Sequence, residues 1–363
     1  MAQLRTRVLA AAQRAEVESI WIGLEAQIAT AGIMCSWDWT GTWLDHYGEA
    51  VPHRFVLAES DGALRGIALI TEPTSLGRLR PPTIALGTAG EPSGSSVFIE
   101  RNRLLVHPES RREFATALMA ELELAGRWQR LRLEGMIPED AELLLEGRAN
   151  VHWRTDECPI ADLRAGDGND ILTGLPASKR KRVHRALRNL GALDTHWARS
   201  PAEADSMLDE LILLHTARWR AEGQPGAFAS SRFTAFHRTL IARLLPSNRA
   251  ALFRIRRDGE TIGCLYGLIE DGRMLFYQGG LQRFEDNRLN VGIAAHALFM
   301  QACRDRGLSE YDFLAPAARY KSDLTTSSER LVWAELERPG ARLRFERVAR
   351  RVKQTVDRRT RAE

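Results

Sequence analysis

Residues 251–280, ALFRIRRDGETIGCLYGLIEDGRMLFYQGG, constrain the fold more than any other stretch of the chain. Apolar and polar residues alternate in three runs, and the breaks fall at Asp258-Gly259 and Asp271-Gly272. Asp-Gly pairs tolerate the positive φ angles of a two-residue hairpin turn, so the pattern predicts three antiparallel strands. A helical pattern over 291–305 follows, then strands SEYDFL and SERLVWAEL. Upstream, helices are expected over 203–221 (Met207, Leu208, Leu211, Ile212, His215, Trp219) and 232–245 (Phe233, Phe236, His237, Leu240, Ile241, Leu244). The C-terminal half is therefore expected to be a sheet of at least five strands carrying helices. Its strand-to-helix join contains glycine, an arrangement suited to a phosphate at the helix N-terminus.

The N-terminal half follows the same style with weaker signals. The first residues suggest a strand and an amphipathic helix; SWDWTGTWLDHYG suggests a second helix with Trp39, Trp43, Leu44 and Tyr47 in the core. HRFVLAESDGALRGIALI predicts a hairpin turning at Asp61-Gly62. The Pro- and Gly-rich TEPTSLGRLRPPTIALGTAGEPSG is expected to be mostly loop, SSVFIERNRLLVHPE a strand, REFATALMAELELAGR a helix and WQRLRLEG a strand. At 363 residues the chain exceeds the size at which one core keeps growing. The expected class is thus mixed α/β (α+β) in two domains, 1–165 and 191–345. Between them lies a connector, 166–190, whose basic helix KRKRVHRALRNLG is capped at Ser178 and ends at Gly191. Residues 346–363 form a basic helix or tail.

Composition narrows the function classes. Apolar runs such as ILTGL are too short to cross a bilayer, and the N-terminus carries charge inside its apolar pattern, unlike an export signal, so a cytoplasmic protein is expected. Cys35, Cys158, Cys264 and Cys303 show no metal-binding spacing, no histidine pair has ligand spacing with a carboxylate, and no metal is expected. The net charge of +4 is mild, but Lys179, Arg180, Lys181, Arg182, Arg185 and Arg188 crowd one helix. Such clusters attract phosphates, of a nucleotide cofactor or of RNA, unless they merely form a solvated face. Nothing in the chain indicates its oligomeric state.

The segments LHTARWRAEGQPGAFAS, FHRTLIARLL, GCLYGLIEDGRMLFYQGG and NVGIAAHALFMQACRDRGLSEYDFLAPAARYKSDL resemble GNAT-fold acetyltransferases of the CelD-like type. These are relatives of the FemAB-like transferases, built from two tandem GNAT-like domains, each a mainly antiparallel mixed sheet flanked by helices. The resemblance covers residues 175–336; WLDHY and VLAESDGALRGIALI match it more loosely. It implies transfer of an acyl group from acetyl-CoA or another acyl-CoA to the amine of a small molecule or of a cell-envelope or secondary-metabolite precursor. The FemAB-like alternative is amide formation from aminoacyl-tRNA. A third possibility is a non-catalytic GNAT-fold binding protein, favoured by the degraded form of the signature Q/R-x-x-G-x-G/A around Arg288 to Gly292.

On that resemblance the donor is expected against residues 278–293, involving Gly279, Arg288, Asn290, Val291, Gly292 and Ile293, with its phosphates near the amides of Val291 to Ile293. Asn290 has a helix cap as its ordinary role, and Gly292 a tight turn. Asp312, between Tyr311 and Phe313, is a candidate proton acceptor or else the buried partner of an arginine. Tyr320 and Lys321 match the family's C-terminal tyrosine-lysine pair: the phenol would protonate the departing thiolate, and the lysine would bind phosphate or carboxylate. His215 and Trp219, one turn apart, would line the acceptor cleft, although a core histidine is the default.

Overall fold

The computed structural model describes residues 4–29, 31–73, 81–165, 170–317, 321 and 323–344. The chain divides into two compact units: residues up to Thr155 together with those from Val332 onward, and Asp156–Leu331.

The first unit begins with β1 (Arg5–Ala10), α1 (Arg14–Glu25) and α2 (Trp37–Tyr47). Then come β2 (His53–Ser60), β3 (Ala63–Thr71), β4 (Thr83–Leu86) and the short β5 (Leu105–Val106). It continues with α3 (Arg111–Leu124), β6 (Arg130–Met136), α4 (Pro138–Leu145) and the first residues of β7 (Val151–Asp162). β2 and β3 form the expected hairpin, turning at Asp61-Gly62, where both residues have positive φ, and β1 pairs antiparallel with the other edge of β2. β4 pairs antiparallel with β3 and parallel with β6. The helix residues Phe114, Leu118, Met119 and Leu122 bury themselves on this sheet together with Val56, Ile70 and Leu131. Trp39, Trp43 and Tyr47 of α2 are fully buried, as the sequence suggested.

The Pro- and Gly-rich stretch is mostly loop among its described residues but also contains the four-residue strand β4. One expectation fails here: SSVFIERNRLLVHPE gives only the two residues of β5. Val97, Ile99 and Leu104 are buried without joining a strand, while Phe98 is exposed.

The second unit takes the end of β7, then α5 (Ala177–Leu190), β8 (Asp194–Trp197), α6 (Pro201–Ala221) and α7 (Ser231–Leu244). The three predicted strands are β9 (Ala250–Arg257), β10 (Glu260–Glu270) and β11 (Arg273–Leu281). They are followed by α8 (Val291–Asp305), β12 (Glu310–Asp312) and β13 (Ser327–Glu337). Asp258-Gly259 and Asp271-Gly272 make both turns with positive φ. The strand order is β7, β12, β11, β10, β9, β8, antiparallel except for the β11–β12 pair. Each unit thus runs strand, two helices, three antiparallel strands, helix, and a strand parallel to the third of those three.

The domain limits expected at 165 and 190 differ from these units for two reasons. Val332–Glu337 of β13 pairs with β6, so the chain's last strand belongs to the first unit. Helix α5 is not a free connector: Val183, Ala186 and Leu190 join the same core as Phe299, Met300 and Cys303 of α8. Ser178 lies inside α5 rather than capping it, while Gly191 ends the helix at φ 76°. The tail 346–363 lies outside the described residues. No helix among the described residues is long and apolar enough to cross a membrane, and all four cysteines are buried.

Candidate functional site

In the second unit, β11 and β12 are parallel only over Arg273–Leu275 and Glu310–Asp312. Beyond that point they part. β11 continues along β10 as far as Leu281, opposite Gly263, whereas the chain after β12 stays with β7, the Phe313 amide donating to the Pro159 carbonyl at 3.0 Å. A bulge at Tyr277, the residue skipped between Phe276 and Gln278 in the β10 register, twists β11 where the strands separate. The result is a V-shaped opening between two strands, near which α8 begins.

Helix α6 passes close to the end of β11. A Cβ on Gly280 would lie 2.3 Å from the Leu211 carbonyl oxygen, so only glycine fits there. A Cβ on Gly279 would meet Leu265 Cδ2 at 2.9 Å, so packing against Leu265 favours glycine there.

At the start of α8, Asn290 Oδ1 accepts from the Ile293 amide at 3.1 Å, and the Val291 amide donates to the Leu289 carbonyl at 3.1 Å. Two of the three amides expected to meet phosphate are therefore engaged within the chain. The Gly292 amide has no hydrogen-bond partner among the described residues, and a Cβ there would meet nothing closer than 3.7 Å. The chain's own packing does not require glycine at 292. Arg288 is exposed and committed to Asp286, its Nε 3.0 Å and its Nη2 2.8 Å from the two carboxylate oxygens, which holds that acid down to about 2. The Arg288 carbonyl accepts from Asn189 at the end of α5, fixing the loop before α8.

Each face of β11 carries a buried histidine-tyrosine pair. On the α8 face, His296 Nδ1 lies 2.9 Å from the Tyr311 hydroxyl, with the Phe276 ring edge-on to the imidazole at 4.6 Å. On the α6–α7 face, His237 Nδ1 lies 3.4 Å from the Tyr266 hydroxyl and its ring 4.6 Å from that of Tyr277. His237 packs on Phe233, Phe233 on Phe228, and Phe228 on His215, which sits 5.9 Å from Trp219. The structure thus joins His215 and Trp219 to the bulge through one aromatic cluster. His215 is 4% exposed and its Nδ1 has no hydrogen-bond partner among the described residues. Burial pulls its basicity down to about 4, with the nearby Arg218 charge adding to the effect.

Asp312 is fully buried; one oxygen accepts from the Leu314 amide at 2.8 Å and the other lies 3.6 Å from Arg273 Nη1. Of the two roles open to it from sequence, this geometry matches the arginine partner. Lys321 is buried, and its ammonium donates to the carbonyls of Phe313 (2.9 Å), Leu314 (3.0 Å) and Pro316 (2.8 Å). These three acceptors among the described residues tie the lysine to the chain beyond β12, which it clamps. Tyr320 lies outside the described residues. Among the described residues no group of three or more His, Cys, Asp or Glu is placed to hold a metal.

Sequence reasoning missed Gly280, the Tyr277 bulge and both histidine-tyrosine pairs. Only the glycine doublet Gly279-Gly280 offered a visible signal; the pairs form between residues 15 and 29 positions apart.

Comparison with known proteins agrees with this geometry. The family model described as an acetyltransferase (GNAT) domain matches residues 177–322. FemX superposes with a TM-score of 0.56 at 11% identity, over 87% of this chain and 95% of that one. The C-terminal DUF2156 domain of a putative lysylphosphatidylglycerol synthetase from Agrobacterium fabrum gives 0.54 at 14% identity, over 92% and 95%. A conserved protein of unknown function from Bacteroides thetaiotaomicron VPI-5482 gives 0.51 at 11%, over 93% and 100%. No curated protein matches the sequence. Residues 177–322 thus match a GNAT acetyltransferase domain, and the fold of the chain resembles those of these solved structures.

Proposed function

We propose that the chain is an N-acyltransferase that moves an acetyl or other acyl group from a CoA thioester to a primary amine, with the chemistry in the second unit. The observation that carries this reading is the opening between β11 and β12 beside Gly292, whose amide has no hydrogen-bond partner among the described residues and whose missing side chain serves no packing need. A donor phosphate would take that amide at the helix N-terminus. The thioester would lie along the unladdered edge of β11 past Leu275. The neutral amine attacks the carbonyl carbon, the tetrahedral oxyanion is held by backbone donors, the nitrogen passes its extra proton to solvent water, and the C–S bond breaks to release thiolate. Tyr320 is the proposed donor of the proton to sulfur. His215 and Trp219 would border the acceptor, His215 offering a neutral imidazole.

One observation favours aminoacyl-tRNA as the donor instead. Lys181, Arg185 and Arg188 are exposed at helical spacing along α5, and the adjacent Asn189 ties that helix to the loop carrying Arg288. RNA binding would show a steep salt dependence.

Titration calorimetry with acetyl-CoA, longer acyl-CoA species and free CoA tests the primary reading. Absence of binding by all of them at millimolar concentration would reject it. With an acceptor in hand, Tyr320→Phe is expected to slow single-turnover transfer on the order of 10²-fold with donor affinity unchanged. An unaltered rate at saturation would remove Tyr320 from the mechanism.

A further inference from the structure

The first unit repeats the strand arrangement that opens in the second: β4 is parallel to β6 from Thr83↔Arg130 to Leu86↔Leu133, and then β4 ends at Leu86 while β6 continues. Here, however, the gap is filled. Asn102 is 2% exposed, and its side-chain amide donates to the carbonyls of Leu86 at the end of β4 and Glu134 in β6, both at 3.2 Å. Its backbone continues the ladder along β6, the Asn102 amide donating to the Gly135 carbonyl and the Ile137 amide to the Asn102 carbonyl, each at 2.9 Å.

The fit is close enough to dictate the residues around it. Gly135 has φ 55°, and a Cβ on it would stand 2.3 Å from the Ile99 carbonyl oxygen; one on Gly87, at φ 82°, would stand 3.0 Å from Asn102 Nδ2. Neighbouring contacts hold the filling segment in place. The Leu104 amide donates to the fully buried Asp140 at 2.7 Å, and Tyr47 of α2 donates its hydroxyl to the Ser95 carbonyl at 2.8 Å. Val97, Ile99 and Leu104 are core residues. The void that remains beside Asn102 and Gly87 is about 20 Å³, room for about one water molecule.

We infer that the first unit is a sealed copy of the cleft: residues 97–104 occupy the place where a thioester arm would enter, so the chain takes one acyl donor, in the second unit. The seal explains why a stretch whose apolar residues suggest a strand is instead buried irregular chain. Unsatisfied peptide groups on the two parted strands would be costly in a buried gap, and Asn102 answers both sides at once with its backbone and its two side-chain N–H bonds.

The inference rests on the proposed acyl-donor reading for its stoichiometry but not for the seal itself, and the two are tested separately on the full chain. Calorimetry with CoA and a non-transferable acyl-CoA thioether is expected to give one equivalent; two equivalents would overturn the inference. Hydrogen exchange followed by NMR is expected to show the Asn102 and Ile137 amides slowed by at least ~10³-fold relative to an unstructured peptide, with or without CoA. Exchange of these amides at loop rates would also overturn it, whatever the calorimetry shows. If no CoA species binds, the donor reading falls while the exchange rates still decide whether the cleft is closed.

Discussion

Lowering the pH from 7 to 5 is expected to remove several kcal/mol of folding stability while the protein is still far from general acid denaturation. His237 and His296 are fully buried, and desolvation holds both near 3, with the Lys321 charge reinforcing the effect on His296. In the unfolded chain each would take up a proton near 6.5. The unfolded state therefore binds more protons than the folded state throughout the interval between those values. Stability is full above about 6.5 and falls as pH drops through that window. At pH 5 the loss is ~2 kcal/mol for each of these two histidines. His215, held near 4, is still almost wholly neutral in the folded chain at pH 5 and adds a comparable amount. A sum of ~6 kcal/mol is a large part of the ~5–15 kcal/mol available to a typical domain. Urea titrations at pH 7, 6 and 5 would measure it, and a midpoint unchanged across that range would mean that the folded chain accommodates charged imidazoles. His296→Phe should flatten part of the slope, since phenylalanine fills the space among Phe276, Tyr311 and Phe313 without titrating.

The same residues mark how much of the site could be read from sequence. The β9–β11 meander was legible because Asp258-Gly259 and Asp271-Gly272 are local turn chemistry, and α8 because Asn290 begins an apolar helical period. β4 was hidden because a four-residue strand that pairs on both sides needs no alternation, and its Pro and Gly neighbours signal loop. Residues 95–109 misled in the opposite direction: burial that looked like a strand's serves a plug held by one asparagine. At the site, Gly279 drew attention as a phosphate contact, yet it and Gly280 are fixed by Leu265 and by the α6 backbone. Arg288 suggested an anion contact from the degraded glycine signature it opens, and the acid that pairs with it is only two residues away. No periodicity reveals that Tyr311 meets His296 or that Tyr266 meets His237, because those contacts exist only once helices have packed on both faces of β11.

Lys321 supplies the second large effect. Replacing it with methionine is expected to destabilise the chain by ~2–4 kcal/mol, because the carbonyls of Phe313, Leu314 and Pro316 lose a shared charged donor inside the protein. The cost of having buried the ammonium offsets part of that loss, which keeps the figure below the sum of three charge-assisted bonds. Arginine separates a clamp from a ligand-binding role. If the lysine bound a substrate phosphate or carboxylate, the guanidinium would serve as well, since its planar fork suits such anions. A clamp demands three donors converging from one compact point on carbonyls in different directions, which a planar group on a longer stem cannot reproduce. Lys321→Arg is therefore expected to fail as Lys321→Met does, in thermal melts without any ligand present. The chain beyond Asp312, which forms one wall of the opening beside β11, should then exchange its amides faster. Wild-type stability in the methionine variant, with transfer activity lost and then restored by arginine, would return Lys321 to the role of an anion contact.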